Sequence, residues 1–202
     1  MKKQIVMMAV LFVALGTANA QHDHGSHGQT KGSKDKAMHG DMQMKDGQMI
    51  YDVSVDFKHQ LTEVYSASLE LTDSFVSDKV NSVSISSTKV KSALGKVDMN
   101  LLNSSEAHMD WMMNLKDMNA ALDQISSATD LNVQRTAYAS FNQALYRSIT
   151  AFGTTSGTIY YQYCPMALEN KGGYWLSDSG VVRNPYLGSK MLSCGSTKET
   201  IN

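Results

Sequence analysis

Two short sulfur-bearing strings near the C-terminus mirror each other: Cys164-Pro165-Met166 and Met191-Leu192-Ser193-Cys194. Thiolate and thioether sulfurs are soft ligands that suit Cu(I) or Ag(I), and two or three of them converging in an apolar pocket exclude harder ions. The stretch between them carries Tyr174-Trp175 and Asn184-Pro185-Tyr186, which offer apolar walls. His108, in the core phase at the start of a helix, would add an imidazole where the bundle end meets this segment. A second reading uses the same cysteines differently. A Cys164–Cys194 disulfide would close a loop of about 30 residues and stabilise the fold by roughly 3–4 kcal/mol in the chain-entropy model. The same sulfurs cannot do both at once. Taken alone, Met166 and Met191 also fit core packing, as do Met109, Met112, Met113 and Met118, and His108 fits a hydrogen-bonded histidine at a helix end.

A separate set of ligand types lies near the N-terminus: His22-x-His24-x-x-His27, then Met38-His39-x-x-Met42-x-Met44, with Met49 a little beyond. Imidazoles suit Cu(II), Zn(II) or Ni(II), and Met-x-Met spacing suits Cu(I). Flexible ligands can wrap an ion at the cost of ordering the chain. The alternative is a polar, solubilising leader.

Catalysis is not expected. The chain has no G-x-S-x-G, H-E-x-x-H, P-loop or Cys-x-x-Cys string, and Glu63, Glu70, Asp73, Glu106 and Asp110 read as solvated helix surfaces. With 18 Lys and Arg against 19 Asp and Glu, the formal charge of −1 lacks the basic footprint of a nucleic-acid binder. Two cysteines are too few for a disulfide-dense miniprotein or a four-cysteine zinc ribbon.

The elements that must position these residues follow from pattern. Lys2-Lys3, an apolar run from Ile5 to Leu15 and Ala18-Asn19-Ala20 read as a secretory signal over residues 1–20. Met1, Met7 and Met8 leave with it, and the expectation is an exported, periplasmic chain with no membrane span after cleavage. Gln21, rather than a cysteine, follows the cleavage site, which argues against a lipid anchor. Residues 21–50 have one branched aliphatic residue, Ile50, and no aromatic, so they read as a disordered His/Met-rich tail.

Residues 51–202 are expected to fold as one all-α domain. Phe57, Leu61, Val64, Ser68, Leu71 and Phe75 recur at steps of three and four, and Val80, Val83, Ser87, Val90, Leu94, Val97 and Leu101 form a second such seam after a cap at Ser77 or Asp78. A third runs His108, Trp111, Leu115, Met118, Leu122, Ile125 after Ser104 or Ser105. The fourth runs from Leu131 through Tyr138, Phe141, Leu145 and Ile149 to Phe152, after Thr129 or Asp130 and before Gly153. Four amphipathic helices with short links predict an up-down four-helix bundle. From about residue 154 the glycines and both prolines accumulate, predicting an irregular cap with short strands at Thr158–Tyr163 and Tyr174–Ser177.

The string CPMALENKGGYWLSDSGVVRNPYLGSKMLSCGSTKETI, with LNVQR opening the helix before it, resembles an uncharacterised domain-of-unknown-function family of exported bacterial proteins. That domain is also found appended to CusB-type copper/silver efflux adaptor subunits. The resemblance covers about residues 55–201 and is sharpest in its last forty. It implies a helical domain with a heavy-metal role, copper or silver as the ion, a periplasmic efflux adaptor as partner, and Cys164, Met166, Met191 and Cys194 as the positions that matter. The hairpin and barrel regions of the adaptors are missing, which favours a free-standing accessory protein.

Overall fold

The computed structural model describes residues 43–45 and 48–202. Four long helices occur where the seams place them: α1 (Val55–Val76), α2 (Val80–Leu94), α3 (Ser105–Ser127) and α4 (Leu131–Phe152). They form a helical bundle in which α1 packs on α2, α2 on α3, α3 on α4 and α4 on α1.

The helix ends show why the chain breaks there. Ser54 and Ser104 each accept a hydrogen bond from a first-turn N–H, that of Phe57 at 3.2 Å and of Ala107 at 3.1 Å. Asp130 accepts two, from Asn132 and Val133. Such caps satisfy donors that the helix itself leaves open. Gly153, at φ +72°, ends α4 in the left-handed region. The second helix departs from expectation at both ends. It begins at Val80 after Lys79, because Asp78 takes a positive φ and turns its carboxylate elsewhere. It stops at Leu94 rather than continuing to Leu101, because Gly95 closes it and the Asp98 side chain caps a separate short turn, Met99–Leu101.

Aromatic residues fill both ends of the bundle. At one end Phe57 meets Trp111 (ring centroids 5.3 Å) and Phe152 (5.3 Å), and Tyr51 stacks on Phe152 at 5.1 Å. At the other, Phe75 meets Tyr138 at 4.5 Å. The start of α1 therefore lies against the end of α4, and the two helices run antiparallel.

Two small antiparallel sheets accompany the helices. The hairpin of β1 (Gln43–Lys45) and β2 (Gln48–Ile50) occupies the end of the stretch expected to be disordered, with Met44 in register opposite Met49. Met49 packs against the core, which accounts for the order there. In the cap, β3 (Ile159–Cys164) is central, between β4 (Gly173–Ser177) and β5 (Ser196–Ile201). The strands β3 and β4 match expectation to within one residue. The third, β5, was not expected, since Ser196–Ile201 shows no apolar alternation and stays exposed along the sheet edge.

Candidate functional site

The cap's shape is set by a few polar side chains. Asn184 is fully buried. Its Oδ1 accepts from the N–H of Tyr186 (2.8 Å) and Leu187 (2.9 Å), and its Nδ2 donates to the carbonyl of Cys194 at 2.7 Å. The Asn184 N–H in turn donates to Leu192 at 2.7 Å. The segment carrying Cys194 is thus fastened to the Asn184-Pro185-Tyr186 turn.

That turn is fastened to the bundle by Arg135. Its guanidinium donates to the carbonyls of Pro185 (2.9 Å) and Phe75 (3.2 Å) and pairs with Asp78 at 2.6 Å. The other Asp78 oxygen accepts from the Ser189 N–H and hydroxyl, at 2.9 and 2.7 Å. Burial works against the charge on Asp78, but the bonds from Ser189 and from Arg135, with the guanidinium charge, together lower its pKa. Gly188, at φ +53°, lies so close that a Cβ there would collide with the Asp78 carboxylate. From the sheet side, Asn142 of α4 accepts from the Leu176 N–H at 3.2 Å, and Tyr186 packs between Tyr138 (5.6 Å) and Trp175 (6.1 Å).

Within this frame Cys164, at the end of β3, is fully buried, and Cys194, just before β5, is half-buried. Both are free thiols in this structure. Cys164 stands beside Cys194, and its interaction with the Cys194 thiol, followed by burial, pushes the Cys194 pKa up against a Met166 N–H that pulls it down. Cys194 also donates its own N–H to Met191 at 3.1 Å. The backbone thus gathers all four cap positions around one thiol pair. The methionine side chains themselves point to the surface rather than into the core, with Met166 46% and Met191 42% exposed. Gly195, at φ +139°, lets the chain pass the Tyr163 carbonyl and the Trp175 ring, where a Cβ would come within 2.9 Å of each. On the other side of the pair, Leu168, Glu169 and Asn170 all take positive φ, a conformation that costs roughly 1–2 kcal/mol per residue.

Two neighbouring cysteine sulfurs, one on a half-buried residue, are of the soft donor type that suits monovalent copper or silver. Among the described residues no group of three or more His, Cys, Asp or Glu side chains is placed to hold a metal ion.

His108 is not part of this arrangement. It is exposed, and the buried seam of α3 starts at Ala107 instead, continuing through Trp111, Asn114 and Met118. It sits one turn before Trp111, at the Phe57–Phe152 end, whereas the cap docks on Tyr138; the two ends are separated by about 21 Å of α4. Met109, Met112 and Met113 are likewise exposed, and of the four methionines read as packing on α3 only Met118 is buried. Of the N-terminal candidates, His22, His24, His27, Met38, His39 and Met42 lie outside the described residues, and Met44 is placed only by its strand.

The polar residues that hold the cap were not singled out by sequence reading, although Arg135 and Asn184 stand inside the two strings that carried the resemblance. An open groove of about 780 Å³ lies between α1 and α2, lined by His59, Glu63, Glu70, Lys89 and Lys96. Among the described residues no helix is long and apolar enough to cross a membrane.

Residues 64–157 match the model of a family described as Protein of unknown function (DUF3347). The match runs from the middle of α1 through α4 and stops just before β3, so it covers the helices and leaves both cysteines outside. No curated protein and no solved structure matches the chain.

Proposed function

We propose that this chain is an exported heavy-metal-binding protein that holds copper, or silver, as the monovalent ion and buffers it or delivers it to an efflux system. It is a binding protein rather than a catalyst. The observation that carries the reading is the unbridged Cys164–Cys194 thiol pair, with the Met166 and Met191 backbones against it and one sulfur open to entry. The Lys2-Lys3 and Ala18-Asn19-Ala20 signal supports a periplasmic location, and the His/Met tail supports a capturing arm. The likeness of the C-terminal string to the domain on copper/silver adaptor subunits supports an efflux adaptor as the receiver.

Equilibrium dialysis with Cu(I) and Cu(II) tests this on the wild type, a form lacking residues 21–50, and Cys164→Ser/Met191→Leu. The cap variant is expected to lose one bound Cu(I) and the shortened form the remaining tail-bound ions. Stoichiometry unchanged by both alterations overturns the proposal. Because both thiols must lose protons to bind and Cys194 holds its proton more firmly than an ordinary thiol, cap affinity should fall as pH is lowered, about tenfold per pH unit for each proton displaced.

The same thiol contact supports a second reading, in which the pair oxidises in the exported protein and fastens the cap of a structural or interaction domain. Intact mass after alkylation separates the two. Alkylation of both thiols once the chain is unfolded without reductant favours the metal site, and resistance under the same conditions favours the bridge.

A further inference from the structure

We infer that the solvent face of α3 carries a second soft-ion site, built from the thioethers of Met109, Met112 and Met113 with the imidazole of His108, for a monovalent copper- or silver-type cation. Three unbranched apolar side chains stand in water where packing gives them no role: Met109 is 59%, Met112 41% and Met113 62% exposed, against 0% for Met118 on the same helix. Their spacing puts them together. Residues three and four apart on a helix are surface neighbours with Cβ atoms about 5–6 Å apart, so Met109 is flanked by Met112 and Met113, and His108 lies one turn from Met112. All four face away from the Ala107, Trp111 and Met118 seam. Their long side chains can close on an ion from one side with no backbone change.

The donor types select the ion. Thioethers are soft, neutral and carry no proton to displace, and an imidazole beside them suits copper. With neutral ligands the ion keeps a single positive charge, so Lys116, exposed one turn further along, meets a monovalent neighbour. Glu106 and Asp110 stand at the same end of the helix. The site shares no residue with the cysteine pair and lies at the opposite end of the bundle, so either can fail while the other holds.

Titrating Ag(I) into the full chain with isotope-labelled methionine methyl groups, in chloride-free buffer, reads each thioether separately. The Met109, Met112 and Met113 methyls are expected to shift together and saturate as one site while Met118 stays in place. Met109→Leu/Met112→Leu/Met113→Leu replaces exposed helix positions with a good helix former and should leave helicity unchanged while lowering the bound Ag(I) by one. His108→Ala should weaken the site several-fold without moving the cap methyls. Three methyls that never saturate together, or undiminished stoichiometry in the triple variant, overturns the inference. Loss of one ion in the triple variant with none lost in Cys164→Ser/Met191→Leu upholds this site and overturns the cap.

Discussion

Trp111 and Trp175 are both buried, yet what holds each of them differs. Around Trp111 the bundle offers Phe57, Phe152 and the seams of α1, α3 and α4, an apolar surround in which each contact is one of many. Around Trp175 the cap offers Tyr186 and a chain whose path is fixed by single polar residues: Asn184 for the Cys194 segment, Arg135 with Asp78 for the attachment to the helices, Asn142 for β4. Apolar packing is non-directional and spreads its contribution over many side chains. A buried hydrogen bond is directional, and removing one partner strands the other. The thiol pair thus stands in the region where geometry is specified most narrowly and by the fewest residues.

The sharpest way to break this contrast is Arg135→Ala. It strands Asp78 and the carbonyls of Pro185 and Phe75; with Arg135 10% and Asp78 31% exposed, the loss falls at the lower end of the range of about 3–5 kcal/mol for a fully buried pair. Fluorotryptophan labelling gives one fluorine resonance per region, and the Trp175 signal should broaden or shift at denaturant concentrations where the Trp111 signal is still native. Coincident loss of both signals would show cap and bundle to be one cooperative unit. Asn184→Ala should have the next largest effect, about 2–3 kcal/mol, since it orphans the Tyr186 and Leu187 N–H groups and the Cys194 carbonyl. Its signature is local: both cysteines should react faster with alkylating reagent while far-UV circular dichroism stays unchanged.

The two regions also differ in what their residues disclose before folding. The bundle was legible because a helix repeats its buried face every three to four residues, and the caps at Ser104, Asp130 and Gly153 are local. The seam of α3 still misled at its start. Ala107 is small and Asn114 polar, so neither advertised its burial, though Asn114 accepts a 2.8 Å bond from Arg147 that makes its place in the interior tolerable. His108 and three methionines then looked like core when they are surface. In the cap, Cys164 and Cys194 could be paired by type and position, but the partners that fix them could not. Arg135 finds Asp78 across 57 residues of chain and Pro185 across 50, and β5 takes its place by backbone pairing with β3, which its side chains do not announce.

The smallest expected effect contrasts the two regions through their carboxylates. Asp78, at the cap junction, has its pKa lowered. A group of this kind contributes stability that is complete above the ordinary carboxylate value of about 3.9 and is lost as pH falls through the folded-state value. Asp110, on α3 in the bundle, is shifted the other way: burial pushes its carboxyl up, against the hydrogen bond from Tyr51 and the charge of Arg147. Its contribution is complete below the unfolded value and lost as pH rises through the folded one, so acid favours the bundle at this residue while it loosens the cap at Asp78. On acidification below about pH 4 the Trp175 fluorine resonance should therefore change at a higher pH than that of Trp111. Asp78→Asn keeps the shape but removes the titrating charge, and it should flatten the acid dependence of the Trp175 signal while leaving that of Trp111 as it was. If the two resonances change together in both proteins, the Asp78–Arg135 pair does not set the cap's response to acid, and the directional bonds of Asn184 and Asn142 hold the cap without it.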